Sequence, residues 1–166
     1  MPKRIAVYPG TFDPFTLGHQ HILQRATLLC DKLYILIAQG HHKNTLFSLE
    51  ERQHMIQTTL NTLNIPITVQ TLPFSGLLIH TCQNLNAKFI IRGIRNATDI
   101  EHEHQLAAIN RQLDPSIETI HLISHDNLAF ISSTIVKEVA KLGGDISSFV
   151  PQEIKKTLLH KICQNY

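Results

Sequence analysis

What most limits the folds open to this chain is a series of short apolar runs that do not alternate, each followed by a stretch with helical spacing. The runs cover residues 5–8, 33–38, 65–69, 89–91 and 120–123. A strand with one wet face alternates apolar and polar residues, whereas a strand covered on both faces reads as a continuous apolar run. After the first run, Ile22, Leu23, Ala26, Leu29 and Cys30 share one face of a helix beginning near Gly18. Ser48-Leu49-Glu50-Glu51 and Thr98-Asp99-Ile100-Glu101 have the form of capping boxes, opening helices that run to about Leu63 and Leu113. Further helices are expected over 76–85, over 133–142 with Gly143 as its stop, and over 151–163 with Pro151 at the first helical position. Strands alternating with helices predict an α/β fold: a Rossmann-like parallel five-stranded sheet with right-handed crossovers and helices on both faces. In such sheets ligands bind at the carboxyl ends of the strands.

The length of 166 residues fits a single domain over 1–166, able to bury about two thirds of its unfolded surface without disulfides or metals. The helix at about 151–163 follows the last strand as an appendix whose contacts the sequence leaves open. A net charge of +2 is too weak a basic bias to indicate nucleic acid, so any phosphate recognition must be local. Cys30, Cys82 and Cys163 are odd in number and lack C-x-x-C spacing, which indicates neither a disulfide framework nor a zinc site. Met1-Pro2-Lys3-Arg4 runs straight into the first strand without an apolar leader, and no run is long enough to span a bilayer. A reduced, cytoplasmic setting without membrane association is expected.

The polar chemistry lies after the strands. Gly10-Thr11-Phe12-Asp13-Pro14-Phe15-Thr16-Leu17-Gly18-His19 joins the first strand to the first helix, a composition that exposes backbone N–H groups beside a helix N-terminus. Gln39-Gly40-His41-His42-Lys43-Asn44 follows the second run and Arg92-Gly93-Ile94-Arg95 the fourth. After the fifth, Ser124-His125-Asp126-Asn127 leads through Leu128, Ala129 and Phe130 to Ile131-Ser132-Ser133-Thr134 at a helix start. Two guanidinium forks, an ammonium, hydroxyls and helix N-termini on one sheet edge suit phosphates. They suit acyl transfer poorly, because no G-x-S-x-G elbow or Ser-His-Asp arrangement is evident. Neither a P-loop nor a G-x-G-x-x-G is present.

Thr16-Leu17-Gly18-His19 and Ile131-Ser132-Ser133-Thr134 resemble the two signatures of the nucleotidyltransferase superfamily, [TH]-x-G-H and I-S-S-[ST]. With Tyr8-Pro9-Gly10-Thr11-Phe12-Asp13-Pro14, Phe47-Ser48-Leu49-Glu50-Glu51-Arg52, Arg92-Gly93-Ile94-Arg95 and Ser132-Ser133-Thr134-Ile135-Val136-Lys137-Glu138, nearly the whole chain is similar to the bacterial phosphopantetheine adenylyltransferases. The resemblance implies transfer of AMP from ATP to 4′-phosphopantetheine, giving dephospho-coenzyme A and pyrophosphate, the penultimate step of coenzyme A biosynthesis. In that reading His19 stabilises the transition state, Thr11 and the Phe12 backbone touch nucleotide and acceptor, and Lys43, Arg92 and Leu78 bind the acceptor. Gly93, Ile94, Arg95, Glu103, Leu128, Ala129, Phe130, Ile131, Ser132, Ser133 and Thr134 hold ATP. Mg2+ arrives with ATP, no protein metal site is implied, coenzyme A is a possible feedback ligand, and the assembly is a homohexamer. His102 stands where an aromatic is frequent in the family and Leu128 where tryptophan is frequent, which reduces the stacking surface at the expected nucleotide pocket.

Alternatives stay open on the residues alone. Lys43 has a minority reading as a solvated loop lysine, as do Arg92 and Arg95 as partners of Asp99 or Glu101 in a surface network. Ser132 to Thr134 can be a helix cap, and Glu103, a helix-face glutamate, gains a role only from the resemblance. His102-Glu103-His104 lacks metal-ligand spacing, since i and i+2 on a helix face different ways. Another nucleotidyltransferase of the superfamily, acting on nicotinamide mononucleotide or as a cytidylyltransferase, shares the two signatures, and a non-catalytic nucleotide sensor would keep the pocket.

Overall fold

The computed structural model describes residues 3–39 and 44–164. Its centre is a parallel sheet of five strands in the order β3-β2-β1-β4-β5, with β1 Ile5–Gly10, β2 Lys32–Ala38, β3 Thr68–Phe74, β4 Phe89–Ile94 and β5 Glu118–Ile123. The intervening helices are α1 Leu17–Ala26, α2 Leu49–Thr62, α3 Leu78–Asn84, α4 Ala97–Leu113, α5 Ser133–Lys141 and α6 Gln152–Gln164, with a short 3-10 turn at Asp126–Leu128. Because side chains alternate across a strand, Ala6 and Tyr8 of β1 join Leu33, Ile35 and Ile37 of β2 in one core cluster, while Val7, Tyr34 and Leu36 join a second on the other face. The first cluster takes in α1, α2, α5 and α6; the second takes Ile79 and Cys82 of α3. None of the described helices is long and apolar enough to cross a membrane.

The central strands match the continuous apolar runs, but β3 lies further along the chain than 65–69. It pairs with β2 from Lys32↔Thr68 to Ala38↔Phe74, and Ile65 and Ile67 pack on the core ahead of it. An edge strand is half wet, so Thr68–Phe74, with one buried position among exposed and half-exposed ones, fits the place better than an unbroken apolar run. Pro73 is tolerated at an edge, where its missing donor faces away from the ladder. β4 continues past residue 91 to include Arg92 and Gly93, two of the residues that line the cleft described below.

Helix boundaries moved for local reasons. The α1 helix ends at Ala26, so Cys30 is buried by the following turn while Leu29 is 39% exposed, against the expectation that both continue the helix face. At α4 the cap is Asn96, whose side chain accepts from the Asp99 N–H, rather than Thr98. The Ser48 capping box is formed as expected, with Ser48 N–H donating to Glu51 and Glu51 N–H to Ser48. Gly143, at φ +77°, ends α5 in the left-handed conformation that glycine adopts freely. Pro151 precedes α6 instead of opening it, its carbonyl accepting from the Ile154 and Lys155 N–H groups. The α6 helix buries Ile154, Leu158 and Ile162 against the first core cluster, and Lys161 donates to Glu51 of α2 at 2.6 Å.

Candidate active site

Strands β1 and β4 pair only at Ala6↔Phe89 and Val7↔Ile90, although both run on toward their carboxyl ends. Beyond that point they splay at the reversal of strand order, and a cleft of about 570 Å³ opens there. Alternate residues of a strand face the same edge, so Pro9, like Ile5 whose carbonyl accepts from Lys88, faces β4. Its missing N–H therefore falls where the ladder has already ended, and its free carbonyl accepts from Arg92 Nη1 at 2.9 Å. The guanidinium thus bridges the gap that the splay creates.

The loop after β1 is held by close approach. The Phe12 backbone lies at φ +52°, uncommon for a bulky residue, and its ring folds over Gly10, where an added Cβ would meet the ring at 2.6 Å. Gly93 is similarly closed to a side chain, because Ile22 of α1 would lie 3.1 Å from its Cβ. Phe12 and Phe15 then flank His19, with ring centroids 5.1 and 5.5 Å from the imidazole.

Thr16 caps α1, and His19 occupies the position that Glu or Gln fills in an ordinary capping box. The Thr16 N–H donates to His19 Nδ1 at 3.0 Å, and His19 N–H donates to Thr16 Oγ1 at 3.3 Å. A backbone N–H can only donate, so Nδ1 is the bare nitrogen and the proton resides on Nε2. Burial, with added repulsion from Arg95 and Arg92, lowers the His19 pKa to about 4 and keeps the ring neutral at physiological pH. The cleft therefore receives a fixed neutral N–H donor.

Arg92 grips Glu103 of α4 with both forks, Nε to Oε2 at 2.7 Å and Nη2 to Oε1, in addition to its bond to Pro9. Arg95 repeats the pattern on Asp99, with Nη1 reaching the Ile131 carbonyl at 3.4 Å. A guanidinium has five N–H bonds, so each arginine keeps one unused donor on each terminal nitrogen among the described residues. Both planes are oriented before any ligand arrives. A third pair, Lys137 Nζ to Asp13 Oδ2 at 2.6 Å, ties α5 to the first loop. Buried Asp13 also accepts from the Leu46 and Phe47 N–H groups at 3.0 and 2.9 Å, closing the segment that leads into α2.

At the opposite wall Ser132 caps α5 by accepting from Ile135 N–H, and Ser133 Oγ donates to the Pro14 carbonyl at 2.8 Å. Both the cap and the open site hold at once, since helix geometry leaves the Ser133 and Thr134 N–H groups without intrahelical acceptors. The Gly18 N–H in the first turn of α1 is in the same position. Two helix N-termini and two oriented guanidinium groups line one cleft, the donor arrangement that a chain of phosphates requires.

The cytidylyltransferase-like family matches residues 7–139. Among curated relatives, a phosphopantetheine adenylyltransferase of Dichelobacter nodosus is 48% identical over 155 residues, covering 93% of this chain and 95% of that protein. The chain belongs to the phosphopantetheine adenylyltransferase family. Another member, from Lawsonia intracellularis, is 49% identical over 98% of the chain and 92% of its own length. Among solved structures, the nicotinic acid mononucleotide adenylyltransferase of Plasmodium falciparum complexed with NaAD superposes with a TM-score of 0.69, at 16% identity, over 99% of this chain and 96% of that one. At that identity the likeness establishes the shared fold.

Of the residues singled out in the sequence of this phosphopantetheine adenylyltransferase family member, Thr11, Phe12, His19, Arg92, Gly93, Arg95, Glu103, Ile131, Ser132, Ser133 and Thr134 line the cleft. Ile94 is buried beneath it, its carbonyl accepting from Ser124 N–H at 2.7 Å. Leu128 ends the 3-10 turn beside Gly18 of α1, Ala129 caps it, and Phe130 is 58% exposed, edge-on to Phe149. Leu78 opens α3 and packs on the second core cluster. Lys43 lies outside the described residues. The surface network with Asp99 or Glu101 is realised only at Arg95 and Asp99; Arg92 pairs instead with Glu103, the buried residue of α4. Asp13, Asn44, Thr45, Asp99 and Lys137 also line the cleft and were not singled out as site residues. Lys137 had a signal, lying one helical turn beyond Ser133 on the same face.

Proposed function

We propose that the protein transfers AMP from ATP to 4′-phosphopantetheine, releasing pyrophosphate and forming dephospho-coenzyme A. The observation that carries the chemistry is the Thr16–His19 capping box, which aims a neutral Nε2–H into a cleft edged by α1, α5, Arg92 and Arg95. A phosphate oxygen of the acceptor attacks the α-phosphorus of ATP, the bond to the bridging oxygen breaks, and pyrophosphate departs in line. That step needs no protein nucleophile, only alignment and stabilisation of charge on the equatorial oxygens. His19 donates to those oxygens, together with N–H groups of the α5 terminus. Thr11 and the Phe12 backbone touch both substrates, and His19, Gly93, Ile94, Arg95, Glu103 and residues 128–134 complete the ATP side. Thr11, Lys43, Leu78 and Arg92 form the acceptor side.

Each described cation of the cleft already has a carboxylate partner, Arg92 with Glu103, Arg95 with Asp99 and Lys137 with Asp13. The triphosphate's own charge is thus left largely unmatched, and Mg2+ entering with ATP would supply the balance through phosphate oxygens. The described residues contain no group of three or more His, Cys, Asp or Glu suited to caging the ion. The same reading places the protein in the cytoplasm at the penultimate step of coenzyme A biosynthesis, with coenzyme A as a feedback ligand of the same cleft. Exposed Ile100, Leu106, Ile109 and Leu113 along α4 support an assembled state, which we take to be a homohexamer.

Incubation with ATP, Mg2+ and each acceptor in turn, reading pyrophosphate release, tests the assignment. Turnover with 4′-phosphopantetheine is expected; turnover with nicotinamide mononucleotide alone would overturn it.

A further inference from the structure

The residues between α5 and α6 belong to no motif and have no task in the chemistry above, yet they form a built turn. Asp145 accepts from Ser147 N–H at 3.0 Å and from Lys155 Nζ of α6 at 2.9 Å. Ile146 and Val150 are buried, and the Ile146 carbonyl accepts from the Phe149 and Val150 N–H groups. Fastened on both sides, Phe149 is a fixed post.

That post touches two walls of the cleft. The Phe149 carbonyl accepts from Leu17 N–H at 2.9 Å, and its ring stands edge-on to Phe130 with centroids 6.0 Å apart. A helix leaves its first four N–H groups without intrahelical acceptors. In α1 the Thr16 and His19 N–H groups are taken by the capping box and Leu17 N–H by Phe149, so among the described residues Gly18 N–H is the one left for a ligand. On the other wall, the Leu128 carbonyl lies 3.8 Å from where a Cβ on Gly18 would stand, and the Ile131 carbonyl accepts from Arg95. Phe130 joins these two residues. The slot between Gly18 and residues 128–131 is therefore spaced by what holds α1 and that turn together. Phe149 is only half-buried and Phe130 is 58% exposed, so burial alone gives little reason for two rings here; an edge-to-face pair also fixes the direction from which they meet. The acceptor side hangs on other supports: Arg92 on Pro9 and Glu103, Leu78 on the second core cluster.

We propose that Phe149 is a positioning residue for the nucleotide, its carbonyl fixing the α1 terminus and its ring fixing the 128–131 turn, so that the slot between them keeps its width. The proposal rests on the ATP side assigned above. Every substitution at 149 keeps the carbonyl, so side-chain variants read the ring. The test is F149L and F149Y in the 166-residue chain, with calorimetric titration of ATP, steady-state kinetics for each substrate and the thermal midpoint. F149L, apolar but without a ring edge, is expected to weaken ATP binding and raise the KM for ATP about fivefold, with the KM for 4′-phosphopantetheine within about twofold. F149Y, which keeps the ring, is expected to match the wild type. A lowered thermal midpoint in F149L with ATP affinity unchanged, equal rises in both KM values, or an F149Y defect as large as that of F149L would overturn the positioning role. If F149L fails to fold, F149M decides by the same readouts. Wild-type protein that binds ATP but is inert toward 4′-phosphopantetheine would instead reject the proposed function, and the ATP titration would still decide the role of Phe149.

Discussion

At His19 one ring serves both the helix and the cleft. Nδ1 completes the Thr16 cap and Nε2–H is left for phosphate oxygens. His19→Ala is expected to lower kcat about a hundredfold or more while leaving ATP affinity within a few-fold, measured by turnover and by calorimetric titration. Parallel losses of binding and turnover would remove His19 from the transition state. The same residue gives a pH signature in stability. Folded His19 takes up a proton only near pH 4, whereas the unfolded chain does so near 6.5, so acid favours unfolding across that interval. His21, also lowered by burial, adds to the trend in the same direction. The urea midpoint of the wild type should fall between pH 6.5 and 4, and in His19→Gln, whose amide can still cap Thr16, it should fall less. An unchanged slope would assign the effect elsewhere. The histidine itself was legible as part of Thr16-Leu17-Gly18-His19, but its protonation was not, because the burial and the two arginines that lower its pKa come from elsewhere in the fold.

Elements bring in contacts that no local pattern predicts. Lys137 reaches Asp13 across 124 residues of sequence, and Asp13 in turn holds the segment leading into α2. Asp13→Ala would leave two N–H groups and an ammonium without their acceptor, and is expected to destabilise the fold by about 3 kcal/mol. Lys137→Met, which leaves both N–H bonds to Asp13 in place, should cost clearly less; denaturant unfolding of both variants gives the comparison, and equal losses would show that the ion pair dominates. The α6 helix was read as an appendix, yet Leu158 is fully buried in the main core cluster. Leu158→Ala is therefore expected to cost about 3 kcal/mol and to lower Tm by roughly 6–12 °C. A change of only a degree or two would return α6 to the status of an appendage.

Over the whole molecule, α4 presents Ile100, Leu106, Ile109 and Leu113 to solvent in the isolated chain. Ile109→Glu is expected to shift sedimentation from an assembled to a smaller species, whereas a wild-type monomer at micromolar concentration would contradict the proposed hexamer. The sequence by itself determined the parallel α/β class, the α2 capping box and the loops that meet at the cleft. Buried strands read as apolar runs, and helix starts are encoded within a few residues of one another. The edge strand β3 escaped this reading because its half-wet residues carry no unbroken run, and the α4 cap went to Asn96 instead of Thr98. Only the tertiary structure decided the splay between β1 and β4, the pairing of Arg92 with Glu103 and the reach of Arg52 to Thr11 and Ala38. The splay and the Arg52 bonds involve segments distant in sequence, while Arg92 and Glu103 meet only because α4 packs back on β4; which elements become neighbours is set by strand order and core packing, which local backbone preference does not encode.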